Sequence, residues 1–258
     1  MFLFRYLDLA WRLAGTGLSF VIFLGGGAFL AGVIFPLVGL VTGPGQRRAR
    51  YHKLLQRAFQ GFVGMMKFLG IIEVVIDDPA PLRDSRGTIV VANHPTLIDI
   101  VLLQALIPRA QCIVKRELWD SLFLGRIMQS CDYVPSDLDP EAMIEACRAA
   151  LADGRSLIIF PEGTRSRPGV PLRFHRGFAH IATLLKADIQ IMTIDCNPPM
   201  LVKNVPWWAI PARRPRFHVS SAGWIRAGSW QGYEHRSKVV RGIVRQLESF
   251  YNERISVG

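Results

Sequence analysis

At 258 residues the chain is one sizeable domain, long enough to bury a real core. Half of its residues are hydrophobic and its mean hydropathy is positive, which is high for a soluble enzyme, while a net charge of +11 directs it to an anionic partner: a phospholipid surface, an acidic carrier protein or nucleic acid. Cys112, Cys131, Cys147 and Cys196 are widely spaced with no C-x-x-C, which argues against a zinc site and a disulfide framework and fits a reducing compartment.

Residues 13–46 carry no charge. A membrane-spanning helix needs about 20 apolar residues, so one span fits with some left over. Gly25-Gly26-Gly27 interrupts the middle and Pro36 the second half, and the arms 13–24 and 28–41 are each too short to cross. Arg5 and Arg12 precede the segment; Arg47, Arg48, Arg50 and Lys53 follow it. A single pass would place one basic cluster outside, against the positive-inside tendency. The charge pattern favours a helical hairpin dipping into the cytoplasmic leaflet, with a single spanning helix as the other reading. A cleaved signal peptide is disfavoured, because the apolar region is too long and no small-residue cleavage site follows it.

Leu54, Leu55, Ala58, Phe59, Phe62, Met65, Met66 and Leu69 recur at helical spacing, so residues 47–69 are predicted to be an amphipathic helix. Residues 71–76 read as a strand and 77–87 as a polar loop. Residues 88–92 form an apolar, β-branched strand that ends at Asn93-His94-Pro95, and 97–106 is apolar enough for a buried helix. His94 then sits on a strand-to-helix loop. Asp99 falls in the first helical turn, where the helix dipole stabilises a carboxylate. Five positions apart across such a bend, the carboxylate can reach back to the imidazole, and a His oriented by an Asp is a general-base pair. The competing reading is a structural His that caps the helix.

Residues 111–114 read as a strand, 115–129 as a helix, and 139–153 as a helix with Pro140 at its start and Gly154 past its end. The strand 156–160 runs into Pro161-Glu162-Gly163-Thr164-Arg165-Ser166. Gly163 lets the backbone approach a ligand and Arg165 presents a fork of donors suited to phosphate; the plain alternative is an ordinary turn with an exposed Arg. Between 164 and 187 stand Arg165, Arg167, Arg173, His175, Arg176 and Lys186 with no acid, either a solvated basic face or a groove for a phosphate-bearing group. Residues 178–187 read as a helix and 189–194 as a strand. Trp207 and Trp208, with Arg213, Arg214 and Arg216 close by, suit a membrane interface. A strand at 216–220 and an amphipathic helix at 235–255 close the chain, whose last part, from Lys203 on, supplies +7 of the net charge.

Taken together, Asn93-His94-Pro95-Thr96-Leu97-Ile98-Asp99 and Phe160-Pro161-Glu162-Gly163-Thr164-Arg165-Ser166, each leaving a strand, resemble the glycerolipid acyltransferase family. That family includes the 1-acylglycerol-3-phosphate acyltransferases, and its signature is His-x4-Asp plus Phe-Pro-Glu-Gly-Thr-Arg. The resemblance runs over residues 71–197. It implies an α/β fold: a single domain with a mixed central β-sheet flanked by helices, and both motifs at strand ends on one side. Residues 1–45 would be the N-terminal membrane anchor and 46–258 the acyltransferase domain. The implied reaction moves a fatty acyl chain from a thioester, acyl-CoA or acyl carrier protein, to a lipid hydroxyl. His94 would be the base and Asp99 its orienter. Glu162, Gly163, Thr164 and Arg165 would bind the acceptor, Arg165 through a phosphate; Glu162 has positioning of the loop as its other reading. The oxyanion donors are not named by the motif, and backbone N–H groups near the helix start are candidates.

No metal and no cofactor beyond the donor substrate are implied. The expected partners are membrane lipids and the acyl donor, at the inner membrane with the site facing the cytoplasm; nucleic acid is disfavoured. Two departures bear on the acceptor. The stretch 131–139 lacks the arginine that the family's second motif brings to the acceptor phosphate, and Gln190 stands near the proline of the fourth motif. They leave open a non-phosphate acceptor, such as a lyso-aminolipid or glycolipid, beside a scaffold that has lost turnover. The sequence has no G-x-S-x-G elbow, no P-loop and no dinucleotide fingerprint.

Overall fold

The computed structural model describes residues 2–122, 124–167, 169–230 and 235–257. Phe123, inside the predicted helix 115–129, and Pro168, inside the basic stretch, lie outside the described residues. In chain order the elements are α1 (Phe2–Phe29), a π-helical turn (Leu30–Ile34), α2 (Phe35–Val41), α3 (Pro44–Phe68), β1 (Glu73–Ile76), α4 (Ala80–Arg83), β2 (Ile89–Ala92), α5 (Asp99–Leu106), β3 (Ala110–Val114), α6 (Arg116–Trp119), α7 (Leu124–Ser130), β4 (Val134–Pro135), α8 (Pro140–Ala152), β5 (Ser156–Ile159), α9 (Gly177–Leu185), β6 (Ile189–Asn197), β7 (Arg216–Ile225), a 3-10 turn (Ala227–Trp230) and α10 (Arg236–Val257).

The strands make one mixed sheet in the order β1-β7-β6-β2-β5-β3-β4. From β6 to β4 all neighbours are parallel, β7 runs antiparallel to β6, and β1 lies parallel to β7. The central strand β2 is buried and apolar at every position because both faces of the sheet are covered. Alternation sends Val90, Ala92 and Ile158 into one core with residues of α3 and α5. It sends Ile89, Val91 and Leu157 into a second core with α8, α9 and α10. This is the predicted α/β architecture.

The N-terminal segment differs from the favoured reading. Phe4–Val41 is one continuous helical stretch of 38 residues, long and apolar enough to cross a membrane. Gly25-Gly26-Gly27 does not break it. Each glycine disfavours helix by about 1 kcal/mol, but packing holds the axis: before the glycines Phe20 meets Trp207 and Phe23 meets Phe59 and Phe62, and after them Phe35 meets Tyr51. Pro36 leaves its mark as the π-helical turn, in which Phe35 N–H donates to Leu30 O; the register slip accommodates a residue that has no N–H to give. The reversal comes later, at Thr42-Gly43, and α3 folds back along α1 and α2 with Tyr51 stacked on Phe35. Val21, Leu24, Phe29, Leu37, Leu40 and Val41 stay exposed on the helix surface.

A second clamp holds α1 to the domain. Arg12 is buried, and its guanidinium donates to Pro211 O at 2.8 Å, Ala212 O at 3.1 Å and Arg213 O at 3.2 Å, while its Nε meets Asp8 at 2.9 Å. Other boundaries shift for local reasons. The helix predicted at 97–106 begins at Asp99, since Pro95–Ile98 form a turn. The helix predicted at 115–129 is two, α6 and α7. Gly125 packs so closely on the Trp119 carbonyl that a Cβ would stand 2.2 Å from its oxygen, and this contact fixes the corner. Asp139 caps α8 by accepting from the N–H groups of Glu141 and Ala142. The short α4 interrupts the predicted polar loop, and β6 and β7 run past their predicted ends because they pair with each other.

Candidate active site

Three neighbouring parallel strands deliver the site. β2 lies between β5 and β6, with Val91 opposite Ile159 and Ile191. The loops that leave the carboxyl ends of β2 and β5 therefore emerge side by side, the usual place for a site in a parallel sheet. The strap that follows β6 closes over the same edge. His94 and Glu162 meet for this reason, although they lie 68 positions apart.

Asp99 is fully buried and receives three donors. His94 Nδ1 lies 2.8 Å from Oδ2, Thr96 N–H donates to Oδ2 at 2.6 Å, and the Thr96 hydroxyl donates to Oδ1 at 2.5 Å. Burial raises the Asp99 carboxyl above its ordinary value, and the bonds from His94 and Thr96 pull the other way. A carboxylate held by three donors fixes the His94 tautomer with its proton on Nδ1. Nε2 is then the basic nitrogen and has no bond to the described residues. The imidazole lies flat on Phe160, with ring centroids 4.1 Å apart and 18° between planes.

Glu162 does not reach into open space. Its Oε1 accepts His94 N–H at 3.0 Å and the Ser166 hydroxyl at 3.0 Å, while Ser166 N–H donates to His94 O at 2.7 Å. The two motif loops are thus cross-linked around the His94 backbone. Partial burial raises the Glu162 carboxyl above its ordinary value, opposed by the bonds from Ser166 and His94. Gly163 adopts φ +67° beside His175, whose ring would stand 3.1 Å from an added Cβ, so a side chain there would be both strained and crowded. Arg165 Nη1 donates to Leu201 O at 3.1 Å and Val202 O at 3.4 Å, and Thr164 Oγ1 accepts from Lys203 Nζ at 2.8 Å.

The structure therefore joins His94, Asp99, Glu162 and Ser166 directly, while Gly163 faces His175, Thr164 meets Lys203 and Arg165 meets Leu201 and Val202. The sequence offers backbone N–H groups near the helix start as oxyanion candidates without naming them; there the N–H of Thr96 is engaged with Asp99 and that of Leu97 with Leu201 O at 3.1 Å, and that of His94 with Glu162. Sequence reasoning missed several supports. Asn93 looks like a plain turn residue in the sequence, yet its side chain pairs with Ile194 as a strand would, Nδ2 donating to O and Oδ1 accepting from N–H, both at 2.8 Å. This substitute rung lets the backbone turn away at His94. Phe160, Thr96 and Ser166 have no local signal beyond lying in the motifs, and the 201–203 strap, far from both in sequence, has none. Among the described residues no cluster of three or more His, Cys, Asp or Glu is placed to hold a metal ion.

Comparison with known proteins agrees with this geometry. Residues 73–197 match the family model described as Acyltransferase. A coconut (Cocos nucifera) 1-acyl-sn-glycerol-3-phosphate acyltransferase is 40% identical over 131 residues, 46% of this chain and 42% of that protein. A Helicobacter pylori protein of the same name is 32% identical over 136 residues, 50% of this chain and 57% of that protein. The chain thus spans about half the length of these curated relatives. The crystal structure of the 1-acyl-sn-glycerophosphate (LPA) acyltransferase PlsC from Thermotoga maritima superposes with a TM-score of 0.68 over 96% of this chain and 97% of that one; at 20% identity this speaks to the fold. Matched residues, paired motifs and fold agree: over residues 73–197 the chain is similar to the acyltransferase family, and it shares the fold of the PlsC structure.

Proposed function

We propose that the protein transfers a fatty acyl chain from an acyl thioester, carried by CoA or by acyl carrier protein, to the free hydroxyl of a 1-acylglycerol-3-phosphate. His94 Nε2 takes the hydroxyl proton while Asp99 stabilises the imidazolium that forms. The acceptor oxygen attacks the thioester carbonyl carbon, giving a tetrahedral oxyanion. Collapse breaks the carbon–sulfur bond, and the departing thiolate takes the proton from His94. A thioester is reactive enough that no covalent enzyme intermediate is needed. The observation that carries this reading is the 2.8 Å His94–Asp99 pair, with Nε2 unbonded among the described residues, at a strand-end site cross-linked by Glu162.

Location follows from the same chemistry. Acceptor and product stay in a bilayer, so the site must open at its surface, and the exposed apolar helix Phe4–Val41 is the element that would hold it there. At 1.5 Å per residue that helix is about 57 Å long, well beyond a hydrocarbon core of about 30 Å. The inner membrane, with the site on the cytoplasmic side where acyl thioesters are made, is the setting we assign.

An acceptor without phosphate is the second reading. It is favoured by the stretch 131–139, which has no arginine and whose acids are engaged elsewhere: Asp132 with Arg48 and Arg155, Asp137 with Arg116, and Asp139 as the cap of α8. Labelled acyl-CoA and acyl carrier protein, offered with lysophosphatidic acid and with a total lipid extract, separate the two. Label in phosphatidic acid is the expected result. Label only in another lipid would overturn the phosphate acceptor.

A further inference from the structure

We infer that Lys203 is the second cation of an anion subsite beside His94, and that this subsite takes the phosphate of the acceptor lipid. The inference rests on the acyl-acceptor reading above. Lys203 lies on the strap between β6 and β7, and its Nζ donates to Thr164 Oγ1 at 2.8 Å. The two residues before it, Leu201 and Val202, accept from Arg165 Nη1, and Leu201 O also accepts from Leu97 N–H. One strap therefore fixes the turn after His94, Arg165 and Lys203 relative to one another.

The backbone of that strap is strained. Leu201 has φ +54° and Asn204 has φ +63°, and the left-handed region is a rare place for a bulky residue such as Leu. Such strain persists where surrounding contacts over-determine the chain, which is common at ligand clamps. The charges are also unspent. Neither Arg165 nor Lys203 has a carboxylate partner among the described residues; their partners are carbonyl and hydroxyl oxygens. Thr164 orients the ammonium without cancelling its charge. Two cations then face a phosphate, and Lys203 supplies from a different loop the positive charge that 131–139 lacks.

A phosphate could come from the acceptor headgroup or from a phosphorylated donor. In a 1-acylglycerol-3-phosphate the reacting hydroxyl and the phosphate sit on adjacent carbons of one small backbone, so a hydroxyl at His94 carries its phosphate with it. A donor's phosphates are separated from its thioester by the long pantetheine arm. The tie between the strap and the His94 turn therefore favours the acceptor.

The test uses the full chain in detergent, with Lys203→Met and Lys203→Arg. We expect Lys203→Met to raise KM for lysophosphatidic acid about tenfold, the loss of one charge-assisted hydrogen bond, while kcat changes little. The preference for lysophosphatidic acid over monoacylglycerol should fall by the same factor, KM for the donor should hold, and Lys203→Arg should restore most of the loss. An unchanged KM, an equal loss on both acceptors, or a rise confined to the donor's KM would overturn the assignment. If the wild-type chain moves no acyl group to lysophosphatidic acid, the reaction assigned above fails on its own. Binding of that lipid, followed by tryptophan fluorescence, then decides on Lys203: about tenfold weaker binding by Lys203→Met supports the subsite, and equal binding refutes it.

Discussion

Glu162 Oε1 accepts the backbone N–H of His94 at 3.0 Å, so the carboxylate of the second motif holds the main chain of the first. Its neighbour Ser166 closes the loop by donating its own N–H to His94 O. That bond supports the positioning role, which the resemblance left beside acceptor binding.

A neutral amide can still accept that N–H. Glu162→Gln should therefore keep activity within about tenfold, whereas Glu162→Ala, which leaves a half-buried N–H without a partner worth about 1–3 kcal/mol, should lose about a hundredfold in kcat. The pH dependence of stability has a definite sign. Burial raises the folded-state carboxyl, so the folded protein holds the proton more tightly than the unfolded chain, and stability falls as pH rises through the folded value. Glu162→Gln should melt at or above the wild type at pH 7, with the gap closing below the ordinary glutamate range. Thermal unfolding at several pH values measures both.

Asp99 acts through His94. Asp99→Asn removes the charge that stabilises the imidazolium and should lower kcat by about two to four orders of magnitude. Thr96→Val removes only the 2.5 Å hydroxyl bond to Oδ1, and should cost about 1–2 kcal/mol of stability with a smaller kinetic effect. Steady-state kinetics beside denaturant unfolding would show the split; a Thr96→Val enzyme as inactive as Asp99→Asn contradicts it.

His52 gives a second pH signature. It is buried on α3, and burial first, then the positive charges of Arg155 and Arg109, lower its pKa from 6.5 to about 4. The unfolded chain takes up this proton first, so stability should drop as pH falls from 6.5 to about 4, by up to about 1.4 kcal/mol per pH unit. His52→Asn should flatten that part of the stability profile.

Arg12 closes α1 onto residues 211–213 by three carbonyl contacts. Arg12→Met strands those carbonyls and should destabilise the protein by about 2–4 kcal/mol, with Arg12→Lys recovering little because an ammonium lacks the planar fork. Hydrogen exchange in 209–216 and in α1 would rise together if the clamp is the joint between them.

The His94–Asp99 contact and the strand ends were legible because they are local: a β-branched run, a turn, then an Asp in the first turn of a helix. The strap was not. Its value lies in Leu201, Val202 and Lys203 meeting Leu97, Arg165 and Thr164, contacts across tens of residues that no periodicity records. Gly25-Gly26-Gly27 misled for a related reason. Local propensity predicts a break, and the aromatic contacts of Phe20 and Phe23 with distant partners override it. The corner between α6 and α7 depended on one close packing contact of Gly125, which spacing alone does not reveal.

The most direct test of the account is acyl transfer by His94→Ala beside the wild type, with lysophosphatidic acid as acceptor and with matched circular dichroism and melting curves. The account predicts a folded variant whose kcat falls by at least about two orders of magnitude, the contribution of a positioned general base. A folded His94→Ala protein that transfers acyl groups at the wild-type rate would contradict it.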